Sequence, residues 1–164
     1  MTGPPQIYRI RPTTGRVTAA VARVADVYSK AKRSEIMSRA KNRRTAPEDA
    51  VAGMLCQLRA RFRRNVKSLP GNPDLVLPAA RTVIFVHGCF WHGHANCKRA
   101  ALPKTNRAFW RGKIAGNAKR DARNARLLRK KGWHVLTVWQ CRLREADRVL
   151  KRLRRALGPS GVDE

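Results

Sequence analysis

Apolar positions change their period along this chain, and the changes mark out its elements. Val51, Leu55, Leu58 and Phe62 fall four, three and four residues apart, the stripe of an amphipathic helix. Thr45-Ala-Pro-Glu48 just before them has the form of a capping box, the Thr45 hydroxyl accepting from the Glu48 amide and the Glu48 carboxylate reaching back. Cys56, next to Leu55, reads as a small buried hydrophobe. Upstream, residues 31–40 read as a short basic helix. After the turn-rich Pro70-Gly-Asn-Pro-Asp74, two short apolar runs at 75–77 and 82–86 flank the breaker Pro78-Ala-Ala-Arg81, which predicts a β-hairpin. A helix capped by Thr105 then carries Phe109, Trp110 and Ile114, and after Gly116 a longer one spans 117–131. Gly132 stands where a helix end needs left-handed geometry.

Residues 133–139 are almost continuously apolar and β-branched, which predicts a strand buried on both faces, with Trp133 and Trp139 in the core. Ala146, Val149, Leu150, Leu153 and Leu157 line one side of a last helix over 144–157. Helix, hairpin, helix, strand and helix add up to an α/β sandwich around a mixed sheet, with a crossover helix before the last strand.

The polar positions are dominated by one sign. Lys and Arg number 37 against 10 Asp and Glu, a net charge of +27 over 164 residues. Self-repulsion on that scale opposes a compact monomer, so a polyanionic partner is its natural explanation. The preponderance of Arg suits phosphate and guanine recognition, which points to nucleic acid. No run approaches the ~18 apolar residues of a membrane span, and the first residues lack the compact apolar run of a secretory signal, so secretion is not expected.

The densest chemistry lies in His87-Gly-Cys-Phe-Trp-His-Gly-His-Ala-Asn-Cys97, directly after the second hairpin strand. Thiolates and imidazoles at such spacing select Zn²⁺ in a closed tetrahedral site. Cys89, Cys97 and Cys141 are three soft ligands, and either His92 or His94 can supply the fourth. Cys141 joins them if the strand before it lies beside the strand ending at His87. Asp74 opens one hairpin strand and His87 ends the next, so a carboxylate and imidazoles converge. Metal-assisted phosphodiester cleavage can use that combination, Asp74 with a backbone carbonyl for a divalent cation and a His to activate water, while the plainer reading makes Asp74 a turn cap. Phe90 and Trp91 are adjacent, so in an extended loop they point to different sides. With Trp110 they are suited to stacking on bases or wedging between base-pair steps.

Leu-Pro-Gly-Asn-Pro-Asp74, Val-Ile-Phe-Val-His-Gly-Cys-Phe-Trp-His92, Phe-Trp110, Asn-Ala-Lys-Arg-Asp121 and Gly-Trp-His-Val-Leu-Thr-Val-Trp-Gln-Cys141 together resemble the very short patch repair DNA mismatch endonucleases, over about residues 29 to 145. The resemblance implies a restriction-endonuclease-like fold. It also implies an enzyme, cytoplasmic and associated with bacterial DNA, that nicks one strand 5′ of the thymine in a T:G mismatch, the product of 5-methylcytosine deamination. By the same resemblance Asp74 binds Mg²⁺ together with the main-chain carbonyl of Val86, where the family often has Thr. His87 and His92 are catalytic, His92 as the base oriented by Asp121, and Glu48 is a further acid near the site. Zn²⁺ goes to Cys89, His94, Cys97 and Cys141, and Phe90, Trp91 and Trp110 form the wedge. The second strand ends in Val86-His87 without the acidic-x-Lys pair of the wider nuclease superfamily, so the resemblance implies that His replaces Lys chemistry.

The expected organisation is a disordered basic extension over 1–28, an endonuclease domain over 29–158 and a flexible tail over 159–164, acting as a monomer on double-stranded DNA. Mismatch-repair proteins are candidate partners. The competing reading is a non-catalytic, zinc-stabilised DNA-binding protein, for which charge, zinc and aromatics suffice.

Overall fold

The computed structural model describes residues 44–158 of the chain. The basic helix expected over 31–40, the N-terminal extension and the tail after 158 lie outside the described residues. Helix α1 (Ala46–Gln57) is followed by strands β1 (Arg63–Arg64), β2 (Leu75–Leu77) and β3 (Thr82–His87). Helix α2 (Arg107–Lys130), strand β4 (His134–Trp139) and helix α3 (Ala146–Leu157) complete the order. The sheet runs β1-β2-β3-β4, antiparallel through the hairpin and parallel between β3 and β4, with α2 as the crossover. This is the mixed sheet flanked by helices that the apolar pattern predicts.

Alternation along β3 assigns the two faces. Ile84 and Val86 look toward α1 and α3, where they join Val51, Leu55, Leu136, Val138, Leu153 and others in the larger core. Val83 and Phe85 look the other way, toward α2, where Val76, Val83 and Leu128 form a smaller cluster. Each fully buried Leu or Val contributes about 1.5–3 kcal/mol, so Leu55 and Leu153 anchor α1 and α3 to the sheet.

Several local expectations are corrected. The helix expected to start at Thr105 and break at Gly116 is one continuous α2, led by Asn106 in the left-handed region. Gly112 and Gly116 face open space, so each costs the helix only about 1 kcal/mol and neither breaks it. Gly132, at φ +75, ends α2 as expected. The strand over 133–139 is not buried on both faces. Leu136 and Val138 are buried against α1 and α3, while Val135, Thr137 and Trp139 are only half-buried. The facing residues of α2 include Ala118, Ala122 and Ala125, too small to close the gap, and a cleft of about 390 Å³ remains. Trp133 likewise lies half-buried, with the Arg81 guanidinium 5.0 Å from its ring.

Cys56 is exposed rather than buried. The last helix begins at Ala146, after a 3₁₀ turn over Gln140–Arg144. The capping box is altered: the Thr45 hydroxyl donates to Glu48 Oε1 at 2.7 Å and the Arg44 amide donates to Oε2 at 3.0 Å. Among the described residues no helix is long and apolar enough to cross a membrane.

Candidate active site and metal centre

Parallel pairing sets His87 opposite Trp139 and thereby brings the two sheet ends together, with Cys141 two residues further on. The loop after β3 is a succession of turns, in which the His92 amide donates to the Gly88 carbonyl and the His94 amide to the Cys89 carbonyl. Gly93, at φ +63, lies so close to α2 that a Cβ there would meet Ile114 Cγ2 at 2.7 Å. The reversal at Gly93 sends His92 and His94 to different clusters.

His94 joins Cys89, Cys97 and Cys141, and the four ligand atoms all lie within 4.8 Å of one another. Tetrahedral Zn²⁺ with bonds of about 2.0–2.3 Å requires ligand separations of about 3.6–3.8 Å. The His94 Nδ1 to Cys141 Sγ distance of 3.3 Å is close to that. Desolvation and the sulfurs of Cys89 and Cys97 push the Cys141 thiol up to about 11, a cost that a bound cation relieves. Three sulfurs and one imidazole in this arrangement fit a structural zinc ion, and all four positions are filled by protein. The His94 ring is stacked on Trp139 at 4.2 Å and 7°.

The other cluster is His87, His92 and Asp121, again with ligand atoms within 4.8 Å of one another. The His87 and His92 rings stack at 3.8 Å and 9°. His92 Nδ1 donates to Asp121 Oδ2 at 2.5 Å, which leaves Nε2 as the ring's free nitrogen. His87 is buried, and that burial, with the neighbouring His92, lowers it to about 4, so it is neutral at physiological pH. Trp139 meets His87 edge-on at 5.3 Å. One ring therefore braces both clusters, a role that its apolar setting in the sequence does not announce.

Asp74 lies across the same opening. Its Oδ2 accepts from the Val86 amide at 2.7 Å. Burial, opposed by that amide and reinforced by the charge of Glu48, pushes Asp74 up to about 6. A partly buried carboxylate with a second one close by is the chemistry of a divalent-cation site, because a cation offsets their mutual repulsion. Glu48, Asp74, Val86, His87, His92 and Asp121 all line one cleft of about 690 Å³.

The aromatics depart from expectation. Phe90 and Trp91 do not point to different sides, because the loop turns rather than extends. Their rings meet at 5.2 Å, and Trp110 packs on both, at 5.2 and 5.9 Å. Trp91 also lines the cleft. Phe109, 64% exposed, extends the cluster from the start of α2. Sequence reasoning missed Asn117, which is buried and donates from Nδ2 to the Trp91 carbonyl at 2.9 Å. Its four-residue spacing from Asp121, which puts both on one helix face, was the available signal.

The sequence matches the family model of the DNA mismatch endonuclease Vsr over residues 25–99. It is 43% identical to the type II nicking enzyme V.XorIIP of Xanthomonas oryzae pv. oryzae, covering 84% of this chain and 100% of that one. It is 44% identical to the DNA mismatch endonuclease Vsr of Escherichia coli, covering 77% of this chain and 80% of that one. Among solved structures, the catalytic domain of the homing endonuclease I-Bth0305I is similar at a TM-score of 0.48 and 22% identity, over 70% of this chain and 95% of that one.

Proposed function

Since the chain belongs to the Vsr family of DNA mismatch endonucleases and nicking enzymes, we propose that it nicks one strand 5′ of the thymine in a T:G mismatch, by Mg²⁺-dependent hydrolysis of the phosphodiester. The observation that carries this reading is the convergence of Asp74, His87, His92 and Asp121 on one cleft beside the aromatic cluster. Asp74 and the Val86 carbonyl, with Glu48 nearby, would hold Mg²⁺, which when bound would supply positive charge to polarise the phosphate.

The remaining work falls to the chain's own side chains. Asp121 holds His92 with Nδ1 protonated, so Nε2 accepts a proton from the attacking water. Asp121 also stabilises the imidazolium that results. His87, neutral and stacked on His92, restricts the swing of that ring and offers a hydrogen bond to the phosphate. Cys89, His94, Cys97 and Cys141 around Zn²⁺ hold the loop that carries His92. Phe90, Trp91 and Trp110 press into the duplex, where a mismatched step is cheaper to distort than a paired one.

A non-catalytic DNA-binding protein would use the charge, the zinc cluster and the rings, but it would gain nothing from partly burying Asp74 at an energetic cost in the cleft that holds two histidines. The two readings separate in a nicking assay across all mismatches in varied flanking sequence. Mg²⁺-dependent nicks concentrated at T:G support the endonuclease, and binding without any nick supports the alternative.

A further inference from the structure

The Asp74 cleft has an electrostatic problem. Glu48, Asp74 and Asp121 all line it, and the DNA strand it would cut is itself a polyanion. Among the described residues lining this cleft, Arg120 is the only lysine or arginine. Most basic side chains on α2 are best read as a solvated face. Arg120 differs from them in being anchored. Its Nη2 donates to Asn117 Oδ1 at 3.0 Å, and Asn117, buried one turn earlier, donates in turn to the Trp91 carbonyl. Asn117 is its one hydrogen-bond partner among the described residues. A guanidinium has five N–H donors in a fixed fork, so one bond to Asn117 aims the group and leaves the others for an incoming oxyanion. The same Asn117 ties that aim to the loop carrying the aromatic rings.

We infer that Arg120, aimed by Asn117, grips a phosphate of the strand that this cleft cuts; the inference rests on the endonuclease reading above. Arg120 touches the DNA, whereas Asn117 is a positioning residue that couples ring seating to phosphate contact.

The test pairs R120A with neutralised phosphates. T:G duplexes are made with a methylphosphonate at each phosphate around the thymine in turn, and binding of the full chain is measured with Mg²⁺ withheld. At one phosphate, neutralisation should weaken the wild type about tenfold or more and leave R120A unaffected. R120K, which keeps the charge on a helix-compatible side chain, should remain sensitive at that phosphate. Single-turnover nicking by R120A should fall on the order of 10²-fold, while K151A on α3, across the sheet, keeps the wild-type rate. If R120A is as sensitive as wild type at every phosphate, the contact does not exist and the inference is overturned. The binding cycle decides this even if the wild type fails to nick T:G DNA, an outcome that would instead remove the proposed function.

Discussion

His92 Nδ1 and Asp121 Oδ2 lie 2.5 Å apart, one residue in the loop after β3 and the other in the middle of α2. The contact fixes both the tautomer and the aim of the imidazole. Asp121→Asn should therefore lower single-turnover nicking by about 10²- to 10⁴-fold with DNA affinity little changed. A variant that nicks within threefold of the wild-type rate would remove His92–Asp121 from the chemistry.

Asp74 is pushed from its ordinary value near 3.8 up to about 6, so the folded protein holds that proton more tightly than the unfolded chain does. Its ionisation therefore weakens the metal-free fold as pH rises through that window, and the cost persists at neutral pH. Asp74→Asn should abolish nicking and yet stabilise the metal-free protein at pH 7.5, by on the order of 1–3 kcal/mol, with the gain vanishing below about pH 4. Denaturant melts of the two proteins at both pH values check this. At limiting Mg²⁺, wild-type nicking should fall as pH drops below about 6, where the proton displaces the cation from Asp74, and saturating Mg²⁺ should move that fall to lower pH.

Cys141→Ser removes one of four zinc ligands at the point where β4 is joined to the loop after β3. The variant should lose the ion and melt about 10 °C or more below the wild type. Metal analysis alongside thermal melts reads both, and retention of one equivalent of zinc would sink the ligand assignment.

Trp110 supports both Phe90 and Trp91. Trp110→Ala should weaken binding to a T:G duplex by roughly 5- to 100-fold, in line with loss of a stacking ring, and leave matched DNA nearly unaffected. Equal losses on both duplexes would mean that the ring packs the loop and does not probe the mismatch.

The hairpin, the Val51 and Leu55 part of the α1 stripe and the end of α2 at Gly132 were legible because each has a local cause in side-chain period or turn chemistry. Helix α1 stops at Gln57, so Leu58 only caps it and Phe62, expected on the same stripe, lies beyond its end. The grouping of Cys89, Cys97 and Cys141 was legible because thiolates beside histidines have few other uses. β1 was not, since Arg63 and Arg64 have no apolar signal and become a strand only by pairing with Leu75 and Val76. Nor was the unbroken α2, because exposure at Gly112 and Gly116 makes tolerable what the letters suggest is a break. The division of labour between His92 and His94 turns on the backbone reversal at Gly93, which spacing cannot reveal. Residue chemistry left that choice open, and only the family resemblance closed it. The Asn117 link depended on a tertiary contact to a carbonyl, and a carbonyl leaves no mark in the sequence.

The central claim is that Asp74 and its neighbours cut one chosen bond. The most direct measurement uses a duplex with a single T:G pair, each strand end-labelled in turn, incubated with Mg²⁺ and either wild type or Asp74→Ala. The account predicts one wild-type nick, immediately 5′ of the mismatched thymine, no cut in the guanine strand and no product from the variant. Binding without a nick, or an Asp74→Ala variant that cuts as fast as the wild type, would contradict it.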